Sequence, residues 1–121
     1  MVKNIDFYFD FGSPTAYLAF TQLQLIEKRN GANLVFHPIL LGGIFKATGN
    51  SPPAAIPAKG KYMMRDLQRY AEKYQVPYER NPFFPVNTLS LMRGAVSYQN
   101  IGCLLYTSDA ADDLLCVDLG G

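Results

Sequence analysis

The residue types best suited to chemistry lie at a short turn near the start of the chain. Gly12, Ser13 and Pro14 separate a strand-like run from a helix-like segment, so Ser13 is placed to cap a helix whose first residue is Pro14. A helix N-terminus offers free amide N–H groups and the positive end of the helix dipole. The Ser13 hydroxyl therefore has two possible roles: an ordinary helix cap, or a hydrogen-bond donor to an anion such as a thiolate. The local pattern leaves both open.

Other reactive side chains are scarce in most of the chain. The single histidine, His37, lies in an apolar segment beside Pro38, which favours a structural role over that of a general base. Both cysteines, Cys103 and Cys116, lie in the last 19 residues. With one histidine and no cysteine before them, a Cys/His nucleophile pair and a histidine-rich metal site are excluded, and we assign no metal ligand.

The last residues of the chain differ in composition from the rest. Residues 103–121 hold four aspartates and no lysine or arginine, whereas residues 1–102 carry 11 Lys and Arg against 6 Asp and Glu. The run CLLYTSDAAD resembles an in-frame translation of a transposase-type DNA sequencing adapter. We therefore expect residues 102–121 to be a non-native tail on an N-terminal fragment. The alternative is a short amphipathic helix over residues 109–117.

Hydrophobic patterns predict the elements that position the Ser13 turn. Residues 4–11 alternate apolar and polar side chains as a strand does, and residues 15–29 show the three- and four-residue spacing of a helix. Residues 33–41 are nearly all apolar and predict a second strand. Strand, helix and strand joined by short links form a βαβ unit with parallel strands, so the predicted fold class is α/β.

The middle of the chain predicts a loop followed by helices. Residues 42–58 contain three glycines and three prolines, which predicts a long structured loop that borders a site. Residues 59–75 regain helical spacing, and Asn87 is a candidate N-cap for a last helix.

Several motifs carry a family resemblance. The segments are FDFGSP at residues 9–14, LGGIFKATGN at 41–50, Pro52-Pro53 and PAKGKYM at 57–63. Together they resemble the kappa-class glutathione transferases and the 2-hydroxychromene-2-carboxylate isomerases, which have a DsbA-like thioredoxin fold with an inserted helical domain. The resemblance implies a thioredoxin-like βαβ unit over residues 1–41, then a loop and the start of the inserted helical domain over residues 42–101.

The resemblance also implies a cofactor and a reaction. Redox members of this fold carry Cys-x-x-Cys where this chain has SPTA at residues 13–16, so the turn cannot exchange disulfides and the sulfur must come from a cofactor. The resemblance implies that this cofactor is glutathione. The implied reaction is isomerisation of 2-hydroxychromene-2-carboxylate to trans-o-hydroxybenzylidenepyruvate by reversible thiol addition, a step of aromatic catabolism. Ser13 is the catalytic residue that stabilises the thiolate. Alternatives are a kappa-like glutathione transferase that conjugates electrophiles and a non-catalytic thioredoxin-fold binding module.

Five further residues receive roles from the motifs that they occupy. The resemblance places Asn50 and Lys59 on glutathione; the alternatives are a turn residue and a solvated helix start. Phe83, Phe84 and Asn87 match a segment that borders the active-site cleft of the isomerase branch, and they are candidates for an aromatic-acid pocket. The alternative for them is a buried hydrophobic plug followed by an N-cap.

Composition and charge favour no other class of partner. The net charge is +1 and no basic stretch is interleaved with exposed aromatic residues, so we expect no nucleic-acid partner. No apolar run is long enough for a membrane span and the N-terminus lacks a secretory layout, so we expect a cytoplasmic protein without a membrane partner. The resemblance implies a homodimer for the full-length protein. We expect the 121-residue chain by itself to be poorly stable and inactive.

Overall fold

Residues 1–101, which the computed structural model describes, fold as two parallel strands joined by a helix and followed by three further α-helices. In chain order the elements are β1 (Asn4–Phe9), α1 (Pro14–Asn30), β2 (Asn33–Pro38), α2 (Leu41–Thr48), α3 (Pro57–Tyr74) and α4 (Leu89–Asn100), with a short 3-10 helix at Pro53–Ala55. The predicted tail, with Cys103 and Cys116, lies outside the described residues.

The two strands form the predicted parallel pair. Asn4 lies opposite Asn33, and Phe9 lies opposite Pro38. The strand β1 alternates as predicted, because Phe9 is buried while Tyr8 is exposed. The strand β2 is shorter than predicted and ends at Pro38, since proline has no N–H to donate to a neighbouring strand. These observations confirm the βαβ unit.

The helix α1 begins and ends at the predicted signals. The Ser13 side chain accepts a hydrogen bond from the Ala16 N–H at 3.2 Å, and Pro14 is the first helical residue. Gly31 ends the helix in the left-handed conformation, with φ of 59°, and its N–H donates to the Glu27 carbonyl. Local sequence alone therefore determines both ends of this helix.

Two hydrophobic cores lie on different faces of α1. The first contains buried residues of the sheet and of α4, which are Phe9, Leu34, Phe36, Met92 and Ala95. The helix α1 adds the half-buried residues Ala16, Phe20 and Leu23 to this core. The second lies between α1 and α3 and contains Leu18, Leu67 and Ala71, packed against Tyr17, Met63, Met64 and Tyr74. The helix α1 is thus held on two faces, and the turn at its start is held with it.

The helix α2 corrects the predicted loop. Residues 42–58 were expected to be irregular, but the chain is helical from Leu41 to Thr48. Glycine disfavours helix, yet the first amide of this helix, that of Leu41, donates to the Asp10 carboxylate at 2.9 Å. The last helix, α4, begins at Leu89, with Thr88 rather than Asn87 at the N-cap position.

Leu67→Ala is expected to lower the free energy of unfolding by about 2–5 kcal/mol, because it removes buried apolar surface and leaves a cavity in the second core. Leu67 is only 3% exposed. Lys61→Gln, on the exposed side of the same helix, is the matched control, with an expected change of about 0.5 kcal/mol or less. Urea unfolding of the full-length protein, followed by circular dichroism, measures both variants. Equal losses would contradict the assignment of the second core.

Candidate functional site

Ser13 lies at the end of a tight turn that begins at Asp10. The Ser13 N–H donates to the Asp10 carbonyl at 2.9 Å, and the Gly12 N–H donates to the Asp10 carboxylate at 2.8 Å. The Ser13 Oγ accepts from the Ala16 N–H and shares a 2.9 Å hydrogen bond with the Thr15 hydroxyl. When Thr15 is the donor of that bond, the Ser13 proton is free for a ligand. The cap and the donor role are therefore compatible in this geometry.

Gly12 allows another segment to approach the turn closely. A Cβ built at Gly12 would lie 2.9 Å from the Thr88 Cγ2 and 3.3 Å from the Asp10 Oδ1. Real Cβ atoms essentially never approach another heavy atom closer than 3.0 Å. A side chain at this position would force the methyl group of Thr88, the N-cap residue of α4, to shift. Glycine is required here by close approach, and not by a positive φ angle.

The carboxylate of Asp10 connects this turn to two other elements. Asp10 is 5% exposed, and its Oδ1 accepts from the Gly12 N–H at 2.8 Å and from the Thr88 hydroxyl at 2.7 Å. Its Oδ2 accepts from the N–H of Leu41 at 2.9 Å. Sequence analysis missed Asp10, Gly12 and Thr88 as site residues. The only local signal was a carboxylate directly after a strand, two residues before a glycine.

Two cavities share the Ser13 turn as a wall. Gly12, Ser13, Pro14, Phe84, Val86 and Thr88 line both of them. The larger has a volume of about 550 Å³ and extends to Leu41 and Lys46 of α2, Met63 of α3 and Asn87. The smaller has a volume of about 390 Å³ and extends to Tyr17, Met64, Tyr78, Arg80 and Leu91.

Each cavity combines largely apolar walls with one basic side chain and one carboxylate, which is Asp10 in the larger cavity and Glu79 in the smaller one. Lys46 lines the larger cavity and Arg80 lines the smaller one. Within residues 1–101 neither forms an ion pair with a carboxylate. Both cations are available to an acidic ligand, and sequence analysis did not single them out.

The structure brings together three of the predicted site residues. Ser13 and Phe84 line both cavities, and Asn87 lines the larger one. The Asn87 side chain also accepts from the Leu89 N–H at 3.0 Å, so it still binds the first turn of α4. The peptide bond between Phe84 and Pro85 is cis.

The other three predicted residues lie outside these cavity walls. Phe83 is 81% exposed. Asn50 is exposed after α2, and its side chain accepts from the Ser51 N–H at 2.9 Å as a turn residue does. Lys59 is exposed in the first turn of α3. None of the three lines either cavity.

His37 lies on the exposed face of the sheet. Its Nε2 is 2.8 Å from the Asp6 Oδ1, and its ring stacks on Tyr8 with centroids 4.5 Å apart. It lines neither cavity, which agrees with the predicted structural role. Within residues 1–101 no three side chains of His, Cys, Asp or Glu form a metal-binding group, and no helix is both long and apolar enough to cross a membrane.

The fold and the turn together define a class of protein. A parallel βαβ unit whose first helix starts at the strand end, beside a cleft built by further helices, is a thioredoxin-like arrangement, here with serine where redox relatives have cysteine. The chain belongs to the DSBA-like thioredoxin domain family, whose model matches residues 4–105. The predicted fold is confirmed.

Individual relatives refine this placement. Over 84 residues the chain is 42% identical to glutathione S-transferase kappa 1 of Caenorhabditis elegans, a match that covers 69% of this chain and 37% of that protein. Over 79 residues it is 44% identical to 2-hydroxychromene-2-carboxylate isomerase of Sphingobium xenophagum, covering 64% of this chain and 40% of that protein. The chain thus spans about two fifths of the length of these relatives.

A solved structure shows the same likeness in three dimensions. A selenomethionine form of 2-hydroxychromene-2-carboxylate isomerase matches with a TM-score of 0.67 and 28% sequence identity. The match covers 92% of this chain and 55% of that one. The resemblance inferred from the motifs is therefore confirmed at the level of the family.

Ser13→Ala is expected to lower the free energy of unfolding by about 1 kcal/mol, because the Ala16 N–H loses its capping acceptor. Ser13→Gly is the matched variant, with an expected loss of only roughly a few tenths of a kcal/mol, since glycine is itself a good N-cap. Urea unfolding of the two variants and the parent measures the difference. Equal losses in both variants would show that the hydroxyl does not stabilise the chain as a cap.

Proposed function

We propose that the full-length protein is a glutathione-dependent isomerase that converts 2-hydroxychromene-2-carboxylate to trans-o-hydroxybenzylidenepyruvate. The observation that carries the proposal is the Ser13 hydroxyl at the N-terminus of α1, in the wall of two cavities. One cavity is available for a peptide thiol and the other for its electrophile. The isomerase and transferase names of the relatives support this choice of chemistry.

The larger cavity suits an anionic peptide thiol. Its volume of about 550 Å³ falls within the range of roughly 300–1,000 Å³ that is usual for small-molecule sites. Lys46 lies in its wall and can pair with a carboxylate. Asn50 and Lys59 line neither cavity, and we assign them to the outer groups of the tripeptide on the strength of the motifs that they occupy.

Ser13 acts by stabilising negative charge on sulfur. If bound here, glutathione would supply a thiolate for reversible addition to a conjugated enone, which is chemistry that would free the former double bond to rotate. The Ser13 hydroxyl donates a hydrogen bond to that sulfur, and the N-terminus of α1 adds a favourable electrostatic contribution. No covalent bond forms to the Ser13 oxygen, and the hydroxyl keeps its proton throughout.

The smaller cavity suits an aromatic acid. Tyr17, Tyr78 and Phe84 contribute aromatic surface to its wall. Arg80 contributes a guanidinium, which binds a carboxylate with two parallel hydrogen bonds. We assign Phe84 to the face shared by both ligands, Asn87 to the thiol side and Phe83 to the exposed rim.

A kappa-like glutathione transferase is the second candidate, because relatives in Caenorhabditis elegans and Homo sapiens are named glutathione S-transferase kappa 1. Both candidates use the same thiol site and differ in the fate of the adduct. An isomerase returns free glutathione after each turnover, whereas a transferase consumes one molecule per product. Measuring free thiol during turnover decides between them.

Glutathione added to the full-length protein is expected to show an ultraviolet thiolate band near neutral pH, because the Ser13 site lowers the pKa of the bound thiol. Ser13→Gly, which loses the hydroxyl at little cost to the helix because glycine is itself a favourable N-cap residue, is expected to remove the band. Thr21→Val is the control, since it deletes another hydroxyl of α1 that bonds the Leu18 carbonyl and lies outside both cavities. Absence of the band in the parent protein, or its persistence in Ser13→Gly, would refute the proposed role and favour a non-catalytic binding module.

Lys59→Gln is expected to weaken glutathione binding by about three- to tenfold, because it removes one charge-assisted contact at an exposed site. Lys61→Gln, two residues further along the same exposed helix start, is the matched control and is expected to leave the affinity unchanged. Isothermal titration at low and high salt measures both. A loss of the same size in the two variants would show that the weaker glutathione binding results from the change in overall charge and not from a contact of Lys59.

A further inference from the structure

The buried carboxylate of Asp10 has no function assigned so far. Both of its oxygens accept hydrogen bonds: from the Gly12 N–H at 2.8 Å, from the Thr88 hydroxyl at 2.7 Å and from the Leu41 N–H at 2.9 Å. In the described part of the chain it makes no ion pair with a lysine or arginine. Within residues 1–101, these three donors therefore make all the hydrogen bonds of the carboxylate.

All three donors lie at the start of a helix. Gly12 lies in the turn that enters α1, Leu41 is the first residue of α2, and Thr88 is the N-cap residue of α4. A buried carboxylate is costly unless it is hydrogen-bonded, and the positive ends of helix dipoles favour an anion at such a place. The three helix starts stabilise the charge of Asp10, and the charge holds the helix starts together.

The same contacts define the surroundings of Ser13. Gly12 immediately precedes Ser13, while Leu41 and Thr88 lie in the wall of the larger cavity. A shift of any one donor relative to the carboxylate would move the hydroxyl relative to that wall. A catalytic hydroxyl misplaced by about 1 Å loses much of its effect.

We propose that Asp10 is a positioning residue that fixes the Ser13 hydroxyl against the starts of α2 and α4. This inference rests on the proposed thiolate role of Ser13 and adds the side chain that sets its place. Asp10 acts through Ser13 and does not touch the reacting sulfur.

Position and charge predict opposite effects of replacing Asp10. As a negative charge near the site, Asp10 disfavours a second anion, so its removal by charge alone would stabilise the thiolate. If Asp10 acts by position, its removal displaces the hydroxyl and destabilises the thiolate. The pH midpoint of the thiolate band therefore separates the two roles.

Two variants test the proposal in the full-length protein. Asp10→Asn keeps the shape of the side chain but replaces one acceptor oxygen by an NH2 donor. This new donor faces an N–H or O–H donor of a helix start. Thr88→Val removes one of the three hydrogen bonds and keeps the charge of Asp10. Both variants are expected to displace the Ser13 hydroxyl, but only Asp10→Asn also removes the negative charge.

The first measurement is amide hydrogen exchange without ligand. The Ala16 N–H, which binds the Ser13 Oγ, is expected to exchange about tenfold faster in Asp10→Asn, the equivalent of one lost hydrogen bond. Exchange of the buried Ala71 in α3 reports global unfolding and serves as the control. Equal acceleration at Ala16 and Ala71, or none at Ala16, would overturn the proposal.

The second measurement is the pH midpoint of the thiolate band with glutathione bound. We expect the midpoint to rise toward that of free glutathione in both variants. A lower midpoint in Asp10→Asn, or an unchanged one in Thr88→Val, would overturn the positioning role. If Asp10→Asn does not fold, Thr88→Val decides by itself. If the parent protein shows no band, the proposed function fails, and the exchange of Ala16 still decides whether Asp10 positions Ser13.

Discussion

A single buried carboxylate is the constraint on which the rest of the site depends. Asp10 is 5% exposed, and the N–H groups and hydroxyl that it binds belong to three separate helix starts. Removing a carboxylate from water is costly unless donors replace the lost hydration. The donors here are an N–H of the turn before α1, the first N–H of α2, which has no partner within its own helix, and the hydroxyl of the N-cap residue of α4. The fold and the charge are thus mutually dependent.

The close approach around Asp10 explains several residue choices that look unrelated in the sequence. Gly12 has no side chain because Thr88 occupies the space that a Cβ would need. Thr88 carries a hydroxyl because Asp10 needs a donor there. The helix α1 is fixed by cores on two faces, through Leu18 on one face and Phe20 on another. Ser13 is consequently held by both its turn and its helix.

A thioredoxin-like turn without cysteine changes the chemistry of the fold. Cysteine at this turn supplies a protein thiolate, whereas Ser13 supplies only a hydrogen-bond donor and a helix cap. In the function that we propose, a ligand brings the thiol, and the two cavities beside Ser13 offer room for it and for its partner. Lys46 and Arg80, which form no ion pair within residues 1–101, place one cation in the wall of each cavity.

The sequence by itself determined the features that depend on neighbours within a few residues. Alternation predicted β1, and Ser13, Pro14 and Gly31 predicted both ends of α1, because caps and strand periodicity are local effects. The family motifs pointed to the fold and to Ser13.

Only the tertiary structure decided how the walls meet around Ser13. The chain from Leu41 to Thr48 is helical despite two glycines, and a carboxylate 31 residues earlier accepts a hydrogen bond from its first amide. The contact between Thr88 and Asp10 joins residues 78 positions apart, and no local pattern encodes such a contact. Asn50, Lys59 and Phe83 were selected by motif, and their distance from the cavity walls could not be predicted, because it depends on the packing of α2 and α3. Long-range hydrogen bonds and close approach therefore determined the site, while local sequence determined the elements that carry it.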